Sequence, residues 1–238
     1  MSDLSSLWVY LSASPLFHLT LTLVAYLLGL TLYQKAGMTP LLNPVLLAIL
    51  IVVAVLALSG TPYERYFDGA KFVHFLLGPA TVALAIPLYR QFDKVRRSGL
   101  ALMVSLLSGS FVAASTAVLI AWALGGSEQS FLSLAPKSVT APVAMGITKE
   151  LGGLPSLTAV LVITTGIIGA ILGPYVLNFV GVKSWAARGV AMGTASHGIG
   201  TARALQVNEE AGAFSGLAMG LNALATAILL PLIWFWLF

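Results

Sequence analysis

Five stretches of this chain, residues 16–34, 41–59, 100–124, 156–180 and 212–237, are nearly unbroken runs of apolar residues. Each has roughly the ~20 residues that a helix needs to cross a hydrocarbon core of ~30 Å. Inside lipid every backbone polar group must be satisfied within the protein, which leaves only helices and closed barrels, and runs that are continuous rather than alternating select helices. Composition agrees: 58% hydrophobic against 8% charged residues leaves too little polar surface for a water-soluble chain of 238 residues. Three further stretches, 67–90, 131–150 and 186–206, are apolar but interrupted by Gly, Pro and charges. The expectation is an all-α polytopic membrane protein of about eight membrane segments, three of them broken or re-entrant, in a single transmembrane domain over 1–238.

Several classes are excluded. With no cysteine, there is no disulfide, thiolate metal site or cysteine nucleophile. No Walker loop, dinucleotide fingerprint or metal-binding helix pair occurs, so the expectation is a protein that is not an enzyme and uses no cofactor or metal. The net charge of +4 comes from dispersed cations, which suits a lipid bilayer and not nucleic acid. Asp3 stands where a signal peptide has its basic region, so no cleaved leader is expected. Arg90, Lys94, Arg96 and Arg97 are the densest basic group and mark their loop as cytoplasmic. Eight crossings counted from that loop put Lys35 and Lys149 on its side and both termini outside, with Lys183 and Arg188 stranded opposite.

Two interrupted stretches share a pattern. "LGPATVALAIP" (77–87) and "LAPKSVTAPVA" (134–144) align Leu77 with Leu134, Pro79 with Pro136 and Val82 with Val139 at one constant offset, the pattern expected of an internal repeat. Proline suits the first turn of a helix, so Pro79 and Pro136 are expected to start half-helices inside the membrane. The free N–H groups there, with the positive end of the helix dipole and the hydroxyls of Thr81, Ser138 and Thr140, form an anion site. The alternative is a proline kink absorbed by packing. Lys137 follows Pro136 directly, and a lysine within an apolar segment costs about 2.5–3.5 kcal/mol, so it faces a cavity or partner unless it snorkels to the interface. It is a candidate counter-ion for a substrate carboxylate.

The stretch "GTASHGIGTARALQVNEEAGA" (193–213) gathers polar groups among glycines. A helix broken here leaves backbone groups that must line protein or water. His197 and Thr201 share a helix face, with Thr194 and Ser196 nearby. Arg203 is suited to holding a carboxylate bidentately, His197 to proton exchange near neutrality, and Glu209 and Glu210 to acidic gate or proton groups. The plain alternative is a hydrogen-bonded core histidine with solvated Arg and Glu. Gly212, Gly216 and Gly220 recur every four residues, a pattern for close helix contact within the chain or in a homodimer. Trp8, Tyr10, Trp234 and Trp236 fit interfacial belts, Asn43 an N-cap or buried ligand, and the loop carrying Glu64, Arg65, Asp68 and Lys71 a solvated surface.

"LGPATVALAIPLY", "LAPKSVTAPVAMGITKELGG" and "GTASHGIGTARAL" resemble the signature stretches of the LrgB/CidB family of bacterial inner-membrane proteins, which is similar to the C-terminal part of the plastidial glycolate/glycerate translocator. The resemblance spans essentially the whole chain. It implies either of two activities: carriage of small carboxylates such as glycolate, glycerate or pyruvate, or antiholin-like regulation of murein hydrolase export and cell lysis. It also implies a smaller LrgA/CidA-type membrane partner.

Overall fold

The computed structural model describes residues 14–76, 79, 82–83 and 85–237, and all regular structure in them is helical. Four helices are long and apolar enough to cross a membrane by length and composition: Pro15–Lys35, Gly99–Ala123, Pro155–Phe179 and Glu209–Trp236, with a shorter apolar helix at Pro44–Ser59. The chain divides into two compact units, residues 1–83 and 84–238.

In the first unit, α1 (Pro15–Lys35) is followed by a 3-10 turn (Pro40–Leu42), α2 (Pro44–Ser59) and α3 (Tyr63–Phe75). Asn43 is the N-cap of α2, its side-chain oxygen accepting from Val45 N at 2.9 Å and Leu46 N at 3.2 Å, and Gly60 at φ 64° ends that helix. The charged stretch expected to be a loop is helical: α3 carries Glu64, Arg65, Asp68 and Lys71, with an exposed Lys71–Asp68 pair at 3.2 Å. Alternation of charge with Tyr66, Phe67 and Phe72 makes it amphipathic, and Tyr66 reaches α1, its hydroxyl 2.9 Å from Thr22 Oγ1. Pro79 is helical and exposed, while Thr81 lies outside the described residues.

The second unit runs α4 (Ala85–Arg90), α5 (Phe92–Arg97), α6 (Gly99–Ala123), α7 (Glu128–Leu134), α8 (Ala141–Leu151), α9 (Pro155–Phe179), α10 (Trp185–Val207) and α11 (Glu209–Leu237). The long helices begin and end within a few residues of the apolar runs. Pro155 opens α9 at the first turn, where its missing N–H costs nothing.

Helix α10 is two half-helices. His197 has φ 40° and ψ −133°, which no helix accommodates, and the chain reverses there. A Cβ on Gly200 would lie 2.7 Å from Met192 O, whereas eight residues of straight helix rise ~12 Å. Consistent with the reversal, Met192 and Ala204 pack together with Ala211, and Trp185, Arg188, Arg203 and Val207 line one cavity. Residues 185–196 run parallel to α11, with Gly189 and Gly193 against the backbone of Ala211 and Ser215. Residues 198–207 run antiparallel to it, pairing Thr201 with Ser215 and Leu205 with Gly212.

The same tracing fixes the other elements. Helix α9 is antiparallel to 185–196, from Asn178 beside Arg188 to Gly166 beside His197. Helix α6 is parallel to α11 and so to 185–196: Lys94, just before it, meets Glu210, Ser110 meets Thr226, and Gly109 lies against Thr194. The unit therefore has a base, with Ser98, Ser184, Val207 and Glu209, and a far end, with Ala123, Leu151 and Pro155. The α10 hairpin enters and leaves at the base. The α7–α8 pair enters and leaves at the far end, where Ser133 Oγ accepts from Leu154 N at 2.9 Å and Thr148 pairs with Thr158 at 2.8 Å.

Candidate functional site

The tips of the two hairpins meet. Asn222, near the middle of α11, donates from Nδ2 to Ser138 O at 3.2 Å and to Thr194 O at 3.1 Å. One amide on a continuous helix thus binds the break of one hairpin and the last turn before the break of the other. The apolar cluster of Val139, Ala144, Ile147 and Val162 packs around the first tip, and His197 Nε2 donates to Val162 O at 2.9 Å across the second. Thr201 Oγ1 donates to His197 O at 2.8 Å and sits 2.9 Å from Ser215 Oγ.

Glycines set how closely these pieces approach. A Cβ on Gly166 would stand 2.6 Å from His197 Cε1, and one on Gly169 would strike Ser196 Oγ. Both glycines lie on α9, one turn apart, and let the break of α10 sit against bare backbone.

Of the residues singled out in the sequence, Pro136, Ser138, Ser196, His197 and Thr201 are buried at or beside the tips, with Lys137 and Thr140 half-buried. Lys137 Nζ donates to Ser138 Oγ at 3.2 Å. Pro136 does not start the half-helix. It follows α7, and α8 begins at Ala141 with Pro142 in its first turn and Thr140 as an N-cap whose side chain makes no capping bond. The sequence pattern pointed at the first proline of the stretch, but the second has the free first-turn position.

Arg203, Glu209 and Glu210 are elsewhere. Arg203 is half-buried at the base, on a cavity of about 100 Å³ with Trp185, Arg188 and Val207. Glu209 and Glu210 make exposed ion pairs with Arg90 (3.3 Å) and Lys94 (3.0 Å). Arg188 closes the same end by donating to Asn178 Oδ1 and Val182 O, both at 2.8 Å.

Asn222 was not singled out in the sequence, although an amide inside an otherwise apolar span is itself the signal, since such a group is costly unless paired. Ser215 was also passed over. Gly212 packs on Leu205 and Gly220 is exposed with nothing near it, so the stripe is not one contact; the tight crossing uses Gly189 and Gly193.

Comparison with known proteins adds a lineage. The LrgB-like family matches residues 22–236. "Holin-like protein CidB" of Staphylococcus epidermidis is 38% identical over 90% of this chain and 93% of its own, and the protein of that name from Staphylococcus aureus (strain N315) is 37% identical over 92% and 95%. "Uncharacterized protein YxaC" of Bacillus subtilis is 39% identical over 92% and 94%. No solved structure matches the chain.

Proposed function

The chain belongs to the LrgB-like family of membrane proteins, and on that premise we propose that it is a secondary carrier of small monocarboxylates of the glycolate, glycerate or pyruvate kind in the bacterial cytoplasmic membrane. The observation that carries this reading is the meeting of two hairpins, entering from opposite ends, at one buried amide. Broken helices of this kind put backbone charge at mid-depth, and a carboxylate entering an apolar bundle needs that charge to replace its hydration. The start of α8 offers free N–H groups, and Lys137 beside it offers a cation. His197 holds a backbone conformation that costs a non-glycine residue of order 1–3 kcal/mol, and strain of that size gathers at functional sites.

Two hairpins that return to their own end also change the side on which Lys149, Lys183 and Arg188 fall. Lys183, Arg188, Lys94, Arg96 and Arg97 fall at the base together, which the excess of cations makes cytoplasmic, and Lys149 falls at the far end. Counting each broken stretch as a crossing had split these cations. A homodimer through the α11 face that carries Gly220, exposed with nothing of the chain within 4 Å, and a smaller membrane partner of the LrgA/CidA type, complete the proposal.

The printed name of the staphylococcal relatives favours a second reading, antiholin-like regulation of murein hydrolase export and lysis. Uptake of labelled glycolate, glycerate, lactate and pyruvate into proteoliposomes separates the two. Saturable uptake of one of them supports the carrier; none of the four entering above protein-free liposomes leaves the regulator standing.

A further inference from the structure

We infer that Asn222 and Thr194 form a site for a monovalent metal cation, sodium by its chemistry, next to the carboxylate position. Asn222 is 1% exposed and Thr194 6% exposed. Asn222 Oδ1 and Thr194 Oγ1 are both buried and find no hydrogen-bond partner among the described residues. A buried oxygen left unmatched carries its full desolvation penalty, so two of them on contacting residues call for something that needs acceptors. The two residues are in contact, because the Asn222 amide binds the carbonyl of Thr194 itself.

The backbone supplies more oxygen at the same place. Thr194 lies in the last turn before the break at His197, where the final carbonyls of a helix lack intrahelical partners and the dipole end is negative. An amide oxygen, a hydroxyl and the carbonyls of a helix end are hard neutral ligands. They suit a singly charged cation, whereas calcium or magnesium would bring charge that nothing there balances. The opposite pole is near: Ser138, whose carbonyl Asn222 also holds, receives Lys137 Nζ on its hydroxyl. A carboxylate at Lys137 and a cation at Asn222 would each lower the cost of burying the other. Coupling of the two ions rests on the carrier reading; binding of the cation does not.

The test is thermal unfolding of the purified full-length chain in detergent, titrated with NaCl, KCl or choline chloride at equal ionic strength, for the parent, T194V and T194S. Thr194→Val removes only the hydroxyl and keeps the branched shape. The expected result is a saturable rise in Tm with Na+ beyond that with K+ or choline, a half-saturating concentration at least tenfold higher in T194V, and a near-parental one in T194S. Equal stabilisation by all three salts, or a Na+ response untouched in T194V, overturns the site. Should T194V fail to fold, Thr194→Ala is the second variant: it removes the same hydroxyl without adding bulk and leaves both Asn222 bonds in place, so half-saturation should again rise at least tenfold, and an unchanged Na+ response refutes the assignment. In proteoliposomes, carboxylate uptake indifferent to a Na+ gradient removes the coupling but leaves the carrier; Na+ stabilisation without any uptake keeps the site and removes the carrier.

Discussion

At the scale of single residues, the break of α10 depends on an imidazole held in a backbone region that glycine prefers. The ring is fixed by its 2.9 Å bond to Val162 O and by the bare backbone at Gly166. A methyl group at Gly166 therefore has nowhere to go: the nearest atoms, Cε1 and Nε2, belong to a buried ring tethered through that same Nε2. Gly166→Ala is expected to cost about 1–3 kcal/mol as overpacking, read as a lower Tm in detergent, and to weaken carboxylate uptake. A parental Tm would mean that the ring moves aside freely. Lys137→Met should retain the fold, since among the described residues its charge bonds only Ser138 Oγ, across 3.2 Å, and should abolish carboxylate binding. Binding as tight as the parent's would make the lysine structural. Nothing in sequence spacing distinguishes Lys137 at a tip from Arg203 at the base, because both are cations among apolar neighbours and depth is decided by where the chain turns.

At the scale of elements, hydrophobic length located the long helices to within a few residues. The Gly and Pro interruptions correctly marked 131–150 and 186–206 as irregular, and continuous runs suffice for that because the bilayer sets one required length. The sense of each half-helix was not legible, since 3.6-residue periodicity is the same for a segment that continues and one that doubles back. Nor did the four-residue glycine stripe name the true crossing. That crossing belongs to Gly189 and Gly193, whose missing Cβ atoms let 185–196 lie on the carbonyls of Ala211 and Ser215. Gly193→Leu should lift this half-helix off α11, separating Thr194 from Asn222 as well. A loss of folded protein, seen as aggregation on size exclusion, is the expected outcome, and a monodisperse, fully active variant would show that the contact is dispensable. Gly220→Leu meets nothing within the chain and should change its stability by no more than about 0.5 kcal/mol, but should shift the protein toward monomer on size exclusion in detergent; an unchanged oligomer size would remove this face from the proposed dimer contact.

At the scale of the second unit, the hairpins give the topology a simple test, because the chain has no cysteine and single ones can be introduced at will. Lys149→Cys and Lys183→Cys should react with an impermeant thiol reagent from opposite sides of the membrane, and Lys94→Cys from the same side as Lys183→Cys. Labelling of positions 149 and 94 from one side would restore a crossing at 131–150. The reversal at His197 also has a consequence for synthesis. Residues 185–196 rise only ~18 Å against a core of ~30 Å, and their polar and glycine-rich surface is covered by Ala211 and Ser215, which leave the ribosome later. The hairpin therefore cannot be committed to lipid in the order in which it is made. It must wait at the translocon, or in the aqueous vestibule beside it, until α11 emerges, and a chain truncated after residue 210 and released from the ribosome should leave 185–207 open to protease while α9 is embedded.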